Sequence, residues 1–239
     1  MSPPYPFPTA RSHDAASHPT DVAVLPVGSF EQHGPHLPLI TDTIIACSIS
    51  EAIAGAYDLR LLPPITFSCS HEHASFPGTV SISAGTLAAV VTDIFADVTR
   101  SGIDHLVVVN AHGGNYVLSN TVQQANVARP TMLLFPTSSD WSAARAAAGC
   151  ATTVHDDMHA GEAETAILLH LAPELVGDEW AESDCEVPSR PYLNLLGLQG
   201  YSPLGVIGRP SKATAEKGRL ILAALVEAFD EPLKLLRGH

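Results

Sequence analysis

Residues 22–43 read VAVLPVGSFEQHGPHLPLITDT. The first six are apolar and read as a strand buried on both faces. The next sixteen carry Glu31, His33, His36 and Asp42 around Pro35 and Pro38. A core strand running directly into ligating side chains is the pattern of an α/β protein, where ligands bind beyond the carboxyl ends of the strands. Glu31 and His33 are two apart and share a face only in extended chain, which turns Gln32 away. The prolines keep the following residues from becoming helical. Asp42 returns beside a helix expected from Thr43 to Tyr57, with Thr41 or Asp42 placed to cap it. Glu, His and Asp form a donor set suited to zinc, manganese or iron(II). His36 lies one residue off the ligand face and is read as a non-ligand.

The rest of the chain extends that reading. HLVVVN (105–110) and TMLLFP (131–136) are further buried strands, and LLPPITF (61–67) is strand-like but interrupted by two prolines. Helical spacing marks 84–101, with Gly102 as its C-cap, and 115–128, 161–171 and 214–229. Strands apolar on both faces, alternating with helices, predict a three-layer α/β/α fold with a mainly parallel sheet. Residues 21–239 are read as one such domain. Residues 1–20, with Pro3, Pro4, Pro6 and Pro8, are read as an extended proline-rich arm.

The composition narrows the function. Twelve Lys and Arg against 25 Asp and Glu leave a net charge of −13, which argues against nucleic acid or an anionic membrane as partner. Cys47, Cys69, Cys150 and Cys185 are scattered, without a CxxC pair, and suit a reducing compartment. The first residues lack the apolar core of a signal peptide, and no apolar run approaches the ~20 residues of a membrane span. A cytoplasmic protein is expected.

Three further stretches carry chemistry. In NAHGGN (110–115), His112 leaves the end of a strand, and Gly113 and Gly114 let backbone approach a ligand closely. In HDDMHAGEAET (155–165), the acidic residues suit the start of a helix, which does not account for His159. In SCSHEHASFPGT (68–79), Ser70, His71, Glu72 and His73 are read as pocket or supporting residues. Glu31, His33, Asp42, His112 and one of Glu162 or Glu164 would suffice for two ions sharing a carboxylate.

PVGSFEQHGPHLPLITDT, FPGT, NAHGGN and HAGEAET, in this order and spacing, resemble the creatininase family of metal-dependent amidohydrolases. The resemblance spans about residues 22–210. It implies an α/β fold, a centre of two divalent ions (zinc, manganese or iron) and a homo-oligomer, a hexamer in creatininase itself. It implies Glu31 and His112 as ligands of one ion, His33 of the other, Asp42 as the bridge, and His159 as the histidine that handles protons, with Glu162 in reserve. Creatininase proper has a Tyr and a metal-binding Glu where this chain has Gly113 and Gly114, so Glu164 is read as the remaining carboxylate ligand. It also has a Trp where His155 stands. Both departures point away from creatinine, and the HGGN form is more similar to the branches that include a formamidopyrimidine deformylase and the peptidase of mycofactocin maturation. Ser70, His73, Gly113, Gly114 and Asp156 are read as substrate-binding.

The expected reaction is hydrolysis of a non-peptide C–N bond in a small cyclic amide or formamide. Two ions would lower the pKa of a shared water. The alternatives are a peptidase of peptide-cofactor maturation and a non-catalytic metal-binding subunit on the same fold. The proline-rich arm and a mean hydropathy of +0.16 also suit subunit contacts.

Overall fold

A computed structural model describes residues 8–238. Strand β1 (Val22–Val27) is buried along its whole length. It pairs in parallel with β2 (Arg60–Leu61) on one side and β3 (His105–Asn110) on the other, and β3 pairs in parallel with β4 (Met132–Phe135). The order is β2-β1-β3-β4. Val27 stands beside Asn110, so β1 and β3 end at the same edge.

Nine α-helices occur among the described residues: α1 (Ser12–Ser17), α2 (Thr41–Tyr57), α3 (Ala84–Arg100), α4 (Val117–Ala125), α5 (Ser138–Ala147), α6 (Glu162–Leu171), α7 (Leu193–Leu196), α8 (Ala215–Ala228) and α9 (Asp230–Leu236). Successive strand residues face opposite sides. Val22, Val24, Val107 and Val109 pack with Ile45, Ile49, Ile167, Ile221 and Leu225 from α2, α6 and α8. Ala23, Leu25, Val27, Leu106 and Val108 pack with Leu87, Val91 and Leu118 from α3 and α4. The three-layer α/β/α arrangement follows from that alternation. No helix among the described residues is long and apolar enough to cross a membrane.

Several boundaries differ from expectation. The N-terminal stretch is not wholly extended, since Ser12–Ser17 is helical, and Arg60 Nη2 ties it down by donating to Ala15 O and His18 O; Pro3, Pro4 and Pro6 lie outside the described residues. Of the segment 61–67 only Leu61 joins a strand, together with Arg60, and Ile65 forms an isolated bridge to Val27, because Pro63 and Pro64 lack the N–H a ladder needs. Helix α2 starts at Thr41 with no side-chain cap. Thr41 Oγ1 donates to Pro38 O, and the Asp42 carboxylate is engaged elsewhere. Helix α5 occupies a stretch to which the sequence reading assigns no element. Thr137 and Asp140 cap it reciprocally, Asp140 N donating to Thr137 Oγ1 and Thr137 N to Asp140 Oδ2.

Candidate metal centre

The loop after β1 is pinned at both ends. At Gly28 the chain presses on the first turn of α2, and a Cβ there would collide with Thr43 backbone. Glu31 N donates to Leu39 O at 2.9 Å, closing the proline loop. Glu31 and His33 therefore both turn inward and are fully buried.

Asp42 enters from the first turn of α2, and its two oxygens face different neighbours. Oδ1 lies 3.1 Å from His33 Nε2, and Oδ2 lies 3.1 Å from His112 Nδ1. Ser29 Oγ donates to Oδ2 at 2.7 Å. Two groups of potential ligand atoms, each within 4.8 Å of one another, share this carboxylate: Glu31, Asp42 and His112, and His33, Asp42 and Glu164. Glu31, His33 and His159 form a third such group.

The donor set fits bound cations. Both carboxylate oxygens of Glu31 are buried and without a hydrogen bond. Three histidine nitrogens surround Oε1, at 3.2 Å (His112 Nδ1), 3.2 Å (His73 Nε2) and 3.7 Å (His159 Nδ1), but none is aligned as a donor. A buried carboxylate without donors is costly, and a divalent ion removes that cost. The histidines are oriented from behind. His112 Nε2 donates to Cys69 O at 2.8 Å, which leaves Nδ1 for Glu31 and Asp42. His33 Nδ1 donates to Glu31 O at 3.1 Å, which leaves Nε2 for Asp42. Such outer partners fix the tautomer a ligand requires. The asparagines of NAHGGN hold the loop: Asn110 Nδ2 donates to His112 O, Asn115 Nδ2 to Asn110 Oδ1, and Cys69 N to Asn115 Oδ1.

The third carboxylate, that of Glu164, arrives through a strained turn. Ala160 has a φ of 51°, in the left-handed region, and its N–H donates to Glu164 Oε2 at 2.6 Å. His159 precedes it, paired with Ile207 through two backbone bonds. The His159 ring centroid lies 4.3 Å from those of both His33 and His73, with the planes tilted by 39° and 46°, and Nε2 donates to Gln32 O at 2.7 Å. Burial, reinforced by His33 and His73, holds the His159 pKa well below its usual value.

Other expected site residues lie elsewhere. Glu162 does not join the group. Its buried carboxylate accepts from Ala151 N, Thr152 N, Thr152 Oγ1 and Lys217 Nζ. Asp156 is exposed and bonded to Thr153, whereas the buried Asp157 accepts from Glu162 N and Ala163 N at the start of α6 and from Arg145. Ser70 is fully buried, and its N–H donates to Ser81 Oγ at 2.8 Å. His73 is buried beside Glu31 rather than lining an open pocket. Gln32 is not turned to solvent; its Nε2 lies 2.8 Å from His73 Nδ1 and donates to Gly205 O. His36 meets Thr165 Oγ1 and belongs to none of the three ligand groups. Gly113 lines a cavity of about 580 Å³ that spreads from His112 and Glu164 toward Tyr116, Trp141 and Met158, whereas Gly114 packs against Glu72 and His112.

The sequence model of a family described as "Creatininase: Creatinine amidohydrolase" matches residues 9–233. The chain belongs to the creatininase family. It is 38% identical over 217 residues to a mycofactocin precursor peptide peptidase of Mycobacterium ulcerans (strain Agy99), covering 85% of this chain and 81% of that one. It is 24% identical over 230 residues to a creatinine amidohydrolase of Pseudomonas putida, covering 89% and 88%. A solved manganese creatininase superposes with a TM-score of 0.75 at 23% identity, covering 92% and 91%, which establishes the shared fold.

Electrostatics give this creatininase-family protein a pH signature when it is metal-free. Burial opposes protonation of His33, but the Asp42 carboxylate outweighs it and raises the pKa to about 9. Burial raises Glu164 to about 7. Both groups hold their protons more tightly when folded, so their contributions are complete at low pH. That of His33 is full below 6.5 and is lost as pH rises through about 9; that of Glu164 is full below 4.5 and is lost through about 7. Chelator-treated protein is expected to melt at a lower temperature at pH 9 than at pH 7, measured by scanning calorimetry. An unchanged Tm would contradict this protonation pattern.

Proposed function

We propose that this chain is a metal-dependent peptidase that cleaves an amide bond in a small peptide substrate. The observation that carries the reading is Asp42, shared between two ligand groups at the edge of a cavity large enough for several side chains. Ions bound there would supply activation of water and polarisation of the scissile carbonyl. The choice of a peptide bond, in place of the non-peptide C–N bond expected from sequence, rests on two supports. The relative at 38% identity is a peptidase of a precursor peptide. The cavity wall is also largely apolar, with Ile45, Leu134, Pro136, Trp141 and Met158, which suits side chains better than a small polar ring.

The chain's own groups divide the work. Glu31, Asp42 and His112, and His33, Asp42 and Glu164, would hold the ions. His159 is held neutral by burial, with Nε2 on Gln32 O and Nδ1 toward Glu31. A neutral imidazole so placed can accept a proton and return it to the leaving amine. The apolar wall excludes water around the substrate.

Dialysis against chelator is expected to abolish hydrolysis of a mycofactocin precursor peptide, and zinc or manganese to restore it, read by mass spectrometry of the fragments. Full activity in the metal-free protein would overturn the reading. Turnover of creatinine or a formamide without peptide cleavage would replace it with the amide alternative.

A further inference from the structure

Glu72 has no part in the mechanism above, and the sequence marks it only as a pocket or supporting residue, without a partner. It lies on a single 3-10 turn, His71–His73. Its Oε1 is 3.5 Å from His112 Nε2 and 4.0 Å from His73 Nε2, and its side chain remains 18% exposed at the lip of the centre. It reaches that place through a gap in another segment. A Cβ on Gly114 would collide with both Glu72 Oε1 and His112 Nε2, and would come within 2.7 Å of Cys69 O. The turn is backed by Gly197, whose φ is +64° and whose missing Cβ would sit 2.9 Å from Glu72 O. Two close approaches made by glycine thus place one carboxylate beside one imidazole nitrogen.

We propose that Glu72 is a positioning residue of the metal centre, which acts through His112. His112 Nε2 already donates to Cys69 O, a neutral acceptor. Glu72 sets a carboxylate oxygen 3.5 Å from the same nitrogen, close enough to act on it through charge while the hydrogen bond stays with Cys69 O. A carboxylate behind a ligating imidazole fixes its orientation and raises the basicity of the nitrogen that faces the ion. Here that nitrogen is Nδ1, turned to Glu31 and Asp42. Gly114 is the counterpart of this arrangement, because any side chain at that position would occupy the carboxylate's place. The effect is confined to one side of the centre, since His33 and Glu164 have no contact with Glu72 among the ion pairs of the described residues.

The proposal rests on Glu31, Asp42 and His112 holding an ion. It is tested by titrating zinc into chelator-stripped parent protein, Glu72→Gln and Glu72→Ala, with calorimetric detection, and by recording the exchangeable imidazole N–H signals of the cobalt(II)-loaded proteins by NMR. The parent is expected to take up two ions. Glu72→Gln is expected to weaken one of the two by ~10-fold or more and leave the other unchanged. It should also move the His112 N–H signal, while the Tm of the metal-free variant stays that of the parent. Glu72→Ala should show the same selective loss. Equal zinc affinities in parent and variants would overturn the role of Glu72 alone. Uniform weakening of both ions with a lowered metal-free Tm would do so too, since that is the mark of a merely structural residue. A parent that takes up no ion would overturn the metal-centre reading and this proposal with it.

Discussion

Asp42→Ala is expected to lose both ions and to cut peptide hydrolysis by on the order of 10³-fold or more, about 4 kcal/mol of transition-state stabilisation. No other side chain belongs to both the Glu31–His112 group and the His33–Glu164 group. Its oxygens are not interchangeable, because Oδ2 is fixed by the Ser29 hydroxyl while Oδ1 faces His33. Removing the carboxylate leaves each set with two protein donors and takes away the negative charge the two sets share. Asp42→Asn keeps the volume and the Ser29 contact but replaces one oxygen by an amide nitrogen, and should lose at least one ion. Metal content by mass spectrometry, measured alongside hydrolysis, decides the matter. Two ions retained in Asp42→Ala would show that the shared carboxylate lies elsewhere.

Glu162→Ala should act on folding and spare the centre. The Glu162 side chain is fully buried, and Lys217 Nζ lies 2.6 Å from Oε1. Oε2 accepts from Thr152 Oγ1 at 2.6 Å and from Thr152 N at 3.0 Å. This one carboxylate joins the first turn of α6 to α8 and to the loop after α5. Truncation leaves an ammonium group without its counter-ion and several N–H and O–H groups without an acceptor. Breaking one side of such a pair costs about 3–5 kcal/mol. Lys217 keeps its bond to Lys212 O and is 21% exposed, which argues for the lower end. Urea unfolding should show the loss, while zinc affinity and kcat of the folded fraction remain those of the parent. A fall in kcat with unchanged stability would restore Glu162 to the chemistry.

The two carboxylates of GEAET illustrate how far sequence could see. Both were candidates, two residues apart at the start of a helix, and nothing in their spacing separates them. The tertiary environment does: Lys217 from α8 claims Glu162, and the Ala160 N–H turns Glu164 toward His33 and Asp42. The same holds for Asp156 and Asp157. Adjacent residues on a loop face different ways, and the inward one is chosen by Arg145 and by the free N–H groups of α6. Gln32 went unrecognised as a bridge to His73 and Gly205, because alternation in an extended segment says which way a side chain leaves but not what it meets.

What the sequence determined by itself was the sheet and the edge at which the site lies. The apolar runs 22–27 and 105–110 can only be strands buried on both faces, and each delivers ligating residues at its carboxyl end. Local order was enough for that, since burial and alternation are properties of a few consecutive residues. Tertiary structure decided which donors meet. Glu31, Asp42 and His112 come from three segments, and Glu72 reaches His112 only because Gly114 leaves the space open. Contacts of that kind depend on how strands and loops are set against one another, and a missing side chain in one segment is informative only when the segment it makes room for is known.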